Sequence, residues 1–550
     1  MCSRYGTNPE KHSTQGEASM AEYKDTVGKG EFLGHPIGLV VLFFTEMWER
    51  FSYYGMRGLL KLYMVNFLFV NLRQQFQGNT EMLIPGAPDD VLFWPTLQKL
   101  IPGEVGAKAS MIYGLYTGLV YLTPVFGGMI ADKYLGQRKT VAIGGILMAI
   151  GQFMLMSPNL FFVALLLLII GNGAFKPNIS TQVGNLYQPG DPRRDGAFTY
   201  FYMGINLGAF LTNFVCGTLA ALYGWKYGFG AAGVGMLLGV TVYLLSQSYL
   251  APDNMMKSKE EKHEDVVQTA ETPSESGSST TLTIVNGLLG IDILIAIALP
   301  IWGFMTSFSL NMIMGFLFTI TAAFFINGLR KAKPALTEAE WQGIAALVGL
   351  CVLNIVFWSV YEQQGNTMQS WADEQTVWPI IFGFQIPSTW FQSFNPGVIF
   401  LLAPLLDMFW AWQNRRGKEP SSVTKMAIGS VILGLSFIVM VVGVRMVGDT
   451  KGSPFWPLFC TFLLTIGELY LSPVGLSLVT KVAPARVVSM MMGMWFLSSF
   501  AGNYLSGYIG TFYENKTLSK EAFFWLLTFL GLGTGGLMFA FNKPLKKILG

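Results

Sequence analysis

The chain carries little charge. Of its 550 residues, 13% are Asp, Glu, Lys or Arg, against 52% that are hydrophobic. That imbalance excludes a soluble globular protein of this length and leaves an integral membrane protein. Histidine is nearly missing. The three present, His12, His35 and His263, are scattered, two in polar segments and one at the entry to the first apolar run. No HExxH or GxSxG pattern and no Cys/His cluster exists, which argues against a membrane-embedded enzyme and against any metal site. The four cysteines, Cys2, Cys216, Cys351 and Cys460, form no CxxC pair, so neither a disulfide framework nor a metal centre is expected. A formal charge of +3 without clustering gives no reason to expect a nucleic-acid partner.

What the chain has is long apolar runs. A bilayer-spanning helix takes about 20 residues. Such runs begin near Gly34, Ala107, Arg138, Leu160, Gly196 and Tyr227, then near Ile284 and Ser309, then near Trp341, Asn395, Val423, Pro454, Arg486 and Ala522. The expected fold is an all-α membrane protein of six, two and six spans, fourteen in all. Its segments are a polar tail over 1–33, a six-helix bundle over 34–250, a charged and Ser/Thr-rich linker over 251–283, an inserted hairpin over 284–330 and a second six-helix bundle over 331–550. The linker's composition cannot build a core. The tail lacks the apolar core of a signal peptide and reads as uncleaved.

Short connections rich in Lys and Arg belong on the cytoplasmic side. Lys133, Arg138 and Lys139 follow the second span, Arg193 and Arg194 the fourth, Arg330, Lys331 and Lys333 the eighth, Arg415, Arg416 and Lys418 the tenth, and Lys543, Lys546 and Lys547 the last. Arg73, Lys99 and Lys108, in the long first loop, are the main exception. The parity puts both termini of this multi-pass protein in the cytoplasm, and its expected location is the cell (inner) membrane. At one boundary 337-TEAE-340 has the form of a capping box opening the ninth span.

Within the first span, 46-EMWERFSYYGMR-57 places two carboxylates and two guanidinium groups where lipid disfavours them. At about 100° per residue, Glu46, Glu49, Arg50, Tyr53, Tyr54 and Arg57 share one helical stripe. Each charge near the bilayer centre costs on the order of 3 kcal/mol. The stripe must therefore pair internally or line a wet cavity, and the two tyrosines favour a pocket over a purely structural network. Lys176, followed by Pro177, is an intramembrane cation beside a weakened helix turn. Asn206 and Asn395 are amides in apolar runs, able to donate and accept. Glu468 is an anion flanked by apolar residues, and Glu362 stands beside Tyr361 and Gln363 nearer a span's end.

The stripe contains ExxERFxYYG, which resembles the signature of the proton-dependent oligopeptide transporter family, a branch of the major facilitator superfamily. Further stretches match in order: 128-GMIADKYLGQRKT-140, similar to the superfamily's loop motif with Asp132, Arg138 and Lys139; 171-GNGAFKPN-178; 201-FYMGINLG-208; 357-FWSVYEQQG-365; 392-QSFNP-396; and 467-GELYLSPVGLS-477. The resemblance, to members of bacterial type with two extra helices, implies a proton-coupled importer of di- and tripeptides, with protons as the coupling ion and no cofactor. It makes Glu46, Glu49 and Arg50 the coupling cluster. Arg50, Tyr53, Tyr54, Arg57, Tyr121, Lys176, Asn206, Asn395, Glu468 and Trp495 become the substrate contacts, Tyr121 and Trp495 on the resemblance alone. Lys176 and Glu362 are expected to pair as a gate between the halves. A carrier for nitrate, a drug or another small organic ion is the alternative. The bilayer and the peptide are the only partners expected, with no obligate protein partner.

Overall fold

The computed structural model describes residues 30–69, 91–188, 191, 193–253, 279–305 and 309–549. Most of the expected amino-terminal tail and of the 251–283 linker, with Cys2, His12, Arg73 and His263, lies outside the described residues.

Lipid offers no partner to backbone amides, so an apolar chain satisfies them within helices. Fourteen helices of eighteen or more residues stand among the described residues, each close to an expected span: α1 Ile37–Tyr63, α2 Val105–Ile130, α3 Gln137–Met154, α4 Phe161–Asn185, α5 Arg193–Thr212, α6 Trp225–Leu245, α7 Ser279–Met305, α8 Leu310–Arg330, α9 Glu338–Tyr361, α10 Phe391–Arg415, α11 Ser422–Val447, α12 Phe455–Val482, α13 Val488–Glu514 and α14 Lys520–Leu549. Ten are long and apolar enough to cross a membrane; α1, α3, α7 and α13 are more polar or apolar over a shorter run. The capping box at α9 forms, with the Thr337 amide donating to Glu340 Oε2 at 2.8 Å and the Glu340 amide to Thr337 Oγ1 at 3.3 Å. Two short helices, Trp94–Leu100 and Thr367–Glu374, and a two-stranded hairpin over Ile380–Ile381 and Phe384–Gln385 lie in loops where no element was expected.

The helices gather around two apolar cores. One is built from α1 to α6 with Phe500 and Tyr504 of α13 and Leu310 and Met314 of α8, the other from α9 to α14. The helix pair α7 and α8 is peripheral, yet α8 meets α13, where the Tyr504 hydroxyl donates to Asn311 Oδ1 at 2.7 Å and the Phe318 and Phe500 rings stand 5.1 Å apart.

The halves meet mainly through α2 with α13 and α5 with α10. Glycines allow the first contact: a Cβ on Gly114 would fall 2.7 Å from the Gly507 nitrogen, so any larger residue would force the helices apart. Beside the second contact, Phe214, just past α5, packs against Trp390, just ahead of α10, with centroids 4.7 Å apart and the Trp390 indole N–H donating to Thr218 Oγ1 at 3.0 Å. Both contacts, and the ion pairs between halves described below, lie toward one end of the bundle, where α1, α5, α9 and α13 finish and α2 and α10 begin.

Candidate functional site

The α1 stripe is buried and paired. Arg50 Nε lies 3.1 Å from Glu46 Oε1 and also bonds Glu49 Oε2, and the three side chains are no more than 4% exposed. Asn172 Nδ2 of α4 donates to the other Glu49 oxygen at 3.2 Å. Arg50 lies over the Tyr53 ring, 5.2 Å from its centroid. Glu46 Oε2 and Arg50 Nη2 are buried with no hydrogen-bond partner among the described residues. Leaving such atoms unpaired is costly. A network built only to hold helices together would be expected to satisfy them.

Two turns further along α1, Arg57 reaches the other half. Its Nη2 pairs with Glu362 at the end of α9, its Nε donates to the Tyr113 hydroxyl of α2 at 2.8 Å, and its guanidinium lies 5.9 Å from the Tyr54 ring centroid. Glu362 is 2% exposed, so its place near a helix end does not leave it solvated.

Glu468 of α12 forms the polar centre of the second half. The Tyr361 hydroxyl donates to Glu468 Oε2 at 2.5 Å, and Asn395 Nδ2 donates to the same oxygen at 3.1 Å and to Thr465 Oγ1 at 2.9 Å. Tyr54 lies within electrostatic reach of Arg50 and Arg57 on its own side and of Glu468 and Glu362 on the other. The stripe and the second-half anions therefore face one region.

The expected Lys176–Glu362 pair is not formed. Lys176 Nζ lies 4.8 Å from the centroid of the Tyr121 ring and within reach of Glu46 and Glu49, while Glu362 is held by Arg57. The reason is depth in the bundle. Phe161 of α4 packs on Tyr63 and Asn172 bonds Glu49, so α4 runs antiparallel to α1 and carries Lys176 one turn past Glu49. Arg57 lies eight residues from Glu49 in the opposite direction, about 12 Å at a rise of ~1.5 Å per residue. Only Arg57 is level with Glu362. Pro177 does not interrupt α4, which runs on to Asn185.

Asn206 turns inward on its own helix, donating to the Tyr202 carbonyl at 2.9 Å. Trp495 is buried, its indole lying against Gly475 of α12. In the loop motif Arg138 ties the start of α3 to the end of the first half, donating from Nε to Gln247 Oε1 at 2.7 Å and from Nη2 to the Gln247 carbonyl at 2.5 Å. Its backbone amide donates to Asp253 Oδ1 at 2.9 Å. Lys139 is exposed, and Asp132 has no hydrogen-bond or ion-pair partner among the described residues.

Sequence reasoning missed Lys61. Its side chain is buried, and Nζ lies 2.6 Å from Ser110 Oγ, 2.5 Å from Asn366 Oδ1 and 2.7 Å from Glu514 Oε1. The signal was its spacing, four residues beyond Arg57 on the same stripe.

The chain is similar over most of its length to known transporters. A peptide transporter of Yersinia enterocolitica is 34% identical over 88% of this chain and 89% of its own. A di-/tripeptide transporter of Lactococcus lactis is 30% identical over 94% and 97%. The crystal structure of a mutant peptide transporter POT in complex with alafosfalin superposes with a TM-score of 0.72 at 31% identity, covering 96% of this chain and 99% of its own. These similarities give the helices the major facilitator arrangement. The family model described as POT family matches residues 138–280 and 304–526, more than half of the chain, and the chain belongs to that family.

Proposed function

We propose that the chain is a proton-coupled symporter that imports di- and tripeptides by alternating access, with fourteen spans, six-helix bundles over 34–250 and 331–550, and both termini in the cytoplasm. The observation that carries this reading is the division of charge. The cations Arg50, Arg57 and Lys176 belong to the first half and the anions Glu362 and Glu468 to the second. A short peptide is a zwitterion, and such a ligand bridges the halves with its carboxylate toward the basic stripe and its ammonium toward Glu468. Tyr53, Tyr54, Tyr121 and Trp495 bound the side-chain space, and Asn206 and Asn395 serve the backbone amide.

Coupling follows from the Arg50 clamp. While Glu46 and Glu49 are ionised they hold the guanidinium. A proton on either carboxylate weakens that hold and leaves Arg50 free to accept a peptide carboxylate, so proton and peptide favour each other's binding. With the proposed orientation, the joined end of the bundle faces outward. Arg57–Glu362 then closes the outer side, and replaces Lys176–Glu362 as the proposed gate. Lys176, level with the clamp, stands as a substrate contact.

Equilibrium binding to the purified protein separates peptides from other solutes. A labelled dipeptide should be displaced by unlabelled di- and tripeptides and by neither free amino acids nor nitrate. Displacement by nitrate with indifference to peptides contradicts the proposal.

A further inference from the structure

Four residues past Arg57, about 6 Å along α1, Lys61 is 0% exposed and its ammonium makes no bond to its own helix. All three partners belong to other elements. Ser110 is on α2, in the same half. Asn366 follows α9 and Glu514 ends α13, both in the other half. The partners are themselves joined: Ser110 Oγ donates to Asn366 Oδ1 at 2.9 Å, Ser370 Oγ donates to Glu514 Oε1 at 3.0 Å, and Asn366 Nδ2 donates to the Ser506 carbonyl at 3.3 Å. The backbones are drawn in to suit. A Cβ on Gly510 would fall 2.5 Å from Asn366 Nδ2, and one on Gly106 would strike the Glu514 carboxylate.

An ammonium held this way has three acceptors for its three donors, and the two acceptors nearest it in distance include one on each side of the division between halves. Its charge is balanced by a carboxylate that belongs entirely to the opposite half. Separating the halves at this end leaves a lysine and a glutamate in need of water or new partners. A buried ion pair is a weak source of net stability but is costly to break on one side only. Such a pair suits a contact that must be whole in one state and fully hydrated in the other.

We infer that Lys61 and Glu514, with Asn366 and Ser110, form a second lock on the outer gate, separate from Arg57–Glu362, which must open in every cycle before the site can face outward. The inference rests on the alternating-access reading and adds a determinant of its conformational balance. Neither Lys61 nor Glu514 touches the Arg50 clamp or the Glu468 group, so their loss alters how often the outer end opens rather than how peptide is held.

Electron-electron distance measurements on the full chain test it, with spin labels at Lys99→Cys and Lys516→Cys, exposed positions in the first and second halves at this end, and Cys2 replaced by Ser. Cys216, Cys351 and Cys460 are buried. The intact lock gives mainly the short distance. Lys61→Met and Glu514→Gln each raise the long-distance population at least about tenfold, as expected when one partner of a buried pair is removed. Combining Lys61→Glu with Glu514→Lys restores the short distance. Unchanged distributions in the single variants, or an exchanged pair that opens further than either single, overturn the inference. Should the single variants fail to fold, Glu514→Asp keeps the charge and withdraws it by one methylene; it must open the end partway, and a closed Glu514→Asp overturns the lock. The readout does not require transport. A chain that opens on Lys61→Met but carries no peptide keeps the lock and loses the proposed function, whereas a chain that carries peptide and ignores Lys61→Met loses the lock alone.

Discussion

Arg57 and Glu362, 305 residues apart in the chain, form an ion pair that joins the two halves at the end of the bundle where α1 and α9 finish. Tyr113 holds the same guanidinium from α2. One partly buried cation thus gathers three helices drawn from both halves, and its partner Glu362 is buried.

Neutralising either member should impair transport strongly, because removing one partner of a buried pair costs about 3–5 kcal/mol. In a cycle of Arg57→Gln, Glu362→Gln and both together, the double variant should be less harmful than the sum, with a coupling energy of roughly 0.5–3 kcal/mol. The same cycle on Lys176 and Glu362 should be nearly additive. Uptake rates in reconstituted vesicles supply both comparisons, and coupling found only in the second cycle would restore the Lys176 gate.

Glu49 accepts from Arg50 and from Asn172 and is fully buried. Glu49→Gln mimics its protonated state, so peptide counterflow should persist while accumulation driven by a pH gradient falls at least about tenfold, the effect of losing roughly one pKa unit's worth of coupling or more. Equal retention of both activities would make the cluster a structural tie.

Glu468 is proposed to receive the peptide's amino terminus. A hydrogen bond to a charged group is worth about 1.5–3 kcal/mol, so Glu468→Gln should weaken binding of a free dipeptide about tenfold to a hundredfold. An N-acetylated dipeptide should bind wild type poorly and respond little to the substitution. Equal weakening of both ligands would remove Glu468 from the proposed contact.

The capping box at α9 gives a stability control remote from the site. Thr337→Ala removes the acceptor for the Glu340 amide and should cost ~1 kcal/mol. A lower thermal midpoint in detergent, with peptide binding unchanged, is the expected pair of results.

The spans and the α1 stripe were legible because lipid penalises charge and unpaired backbone so heavily that exceptions stand out in the order of residues. Glu46, Glu49 and Arg50 pair within one helix, where spacing alone sets who meets whom. Across helices spacing is silent. Lys176 on α4 and Arg57 on α1 are both intramembrane cations, and their depths, more than two turns apart, determine which reaches Glu362. Lys61 escaped notice because a lysine near a span's end reads as one that extends to the surface; its acceptors come from residues 49, 305 and 453 positions away. The helices Trp94–Leu100 and Thr367–Glu374 were hidden by their brevity in loops.

Uptake of a labelled dipeptide into proteoliposomes under an imposed inward proton gradient tests the proposed function most directly. Accumulation above the external concentration that collapses on adding a protonophore, while exchange of internal for external peptide continues, is the predicted result. Accumulation that survives the protonophore, or that requires sodium, would contradict it.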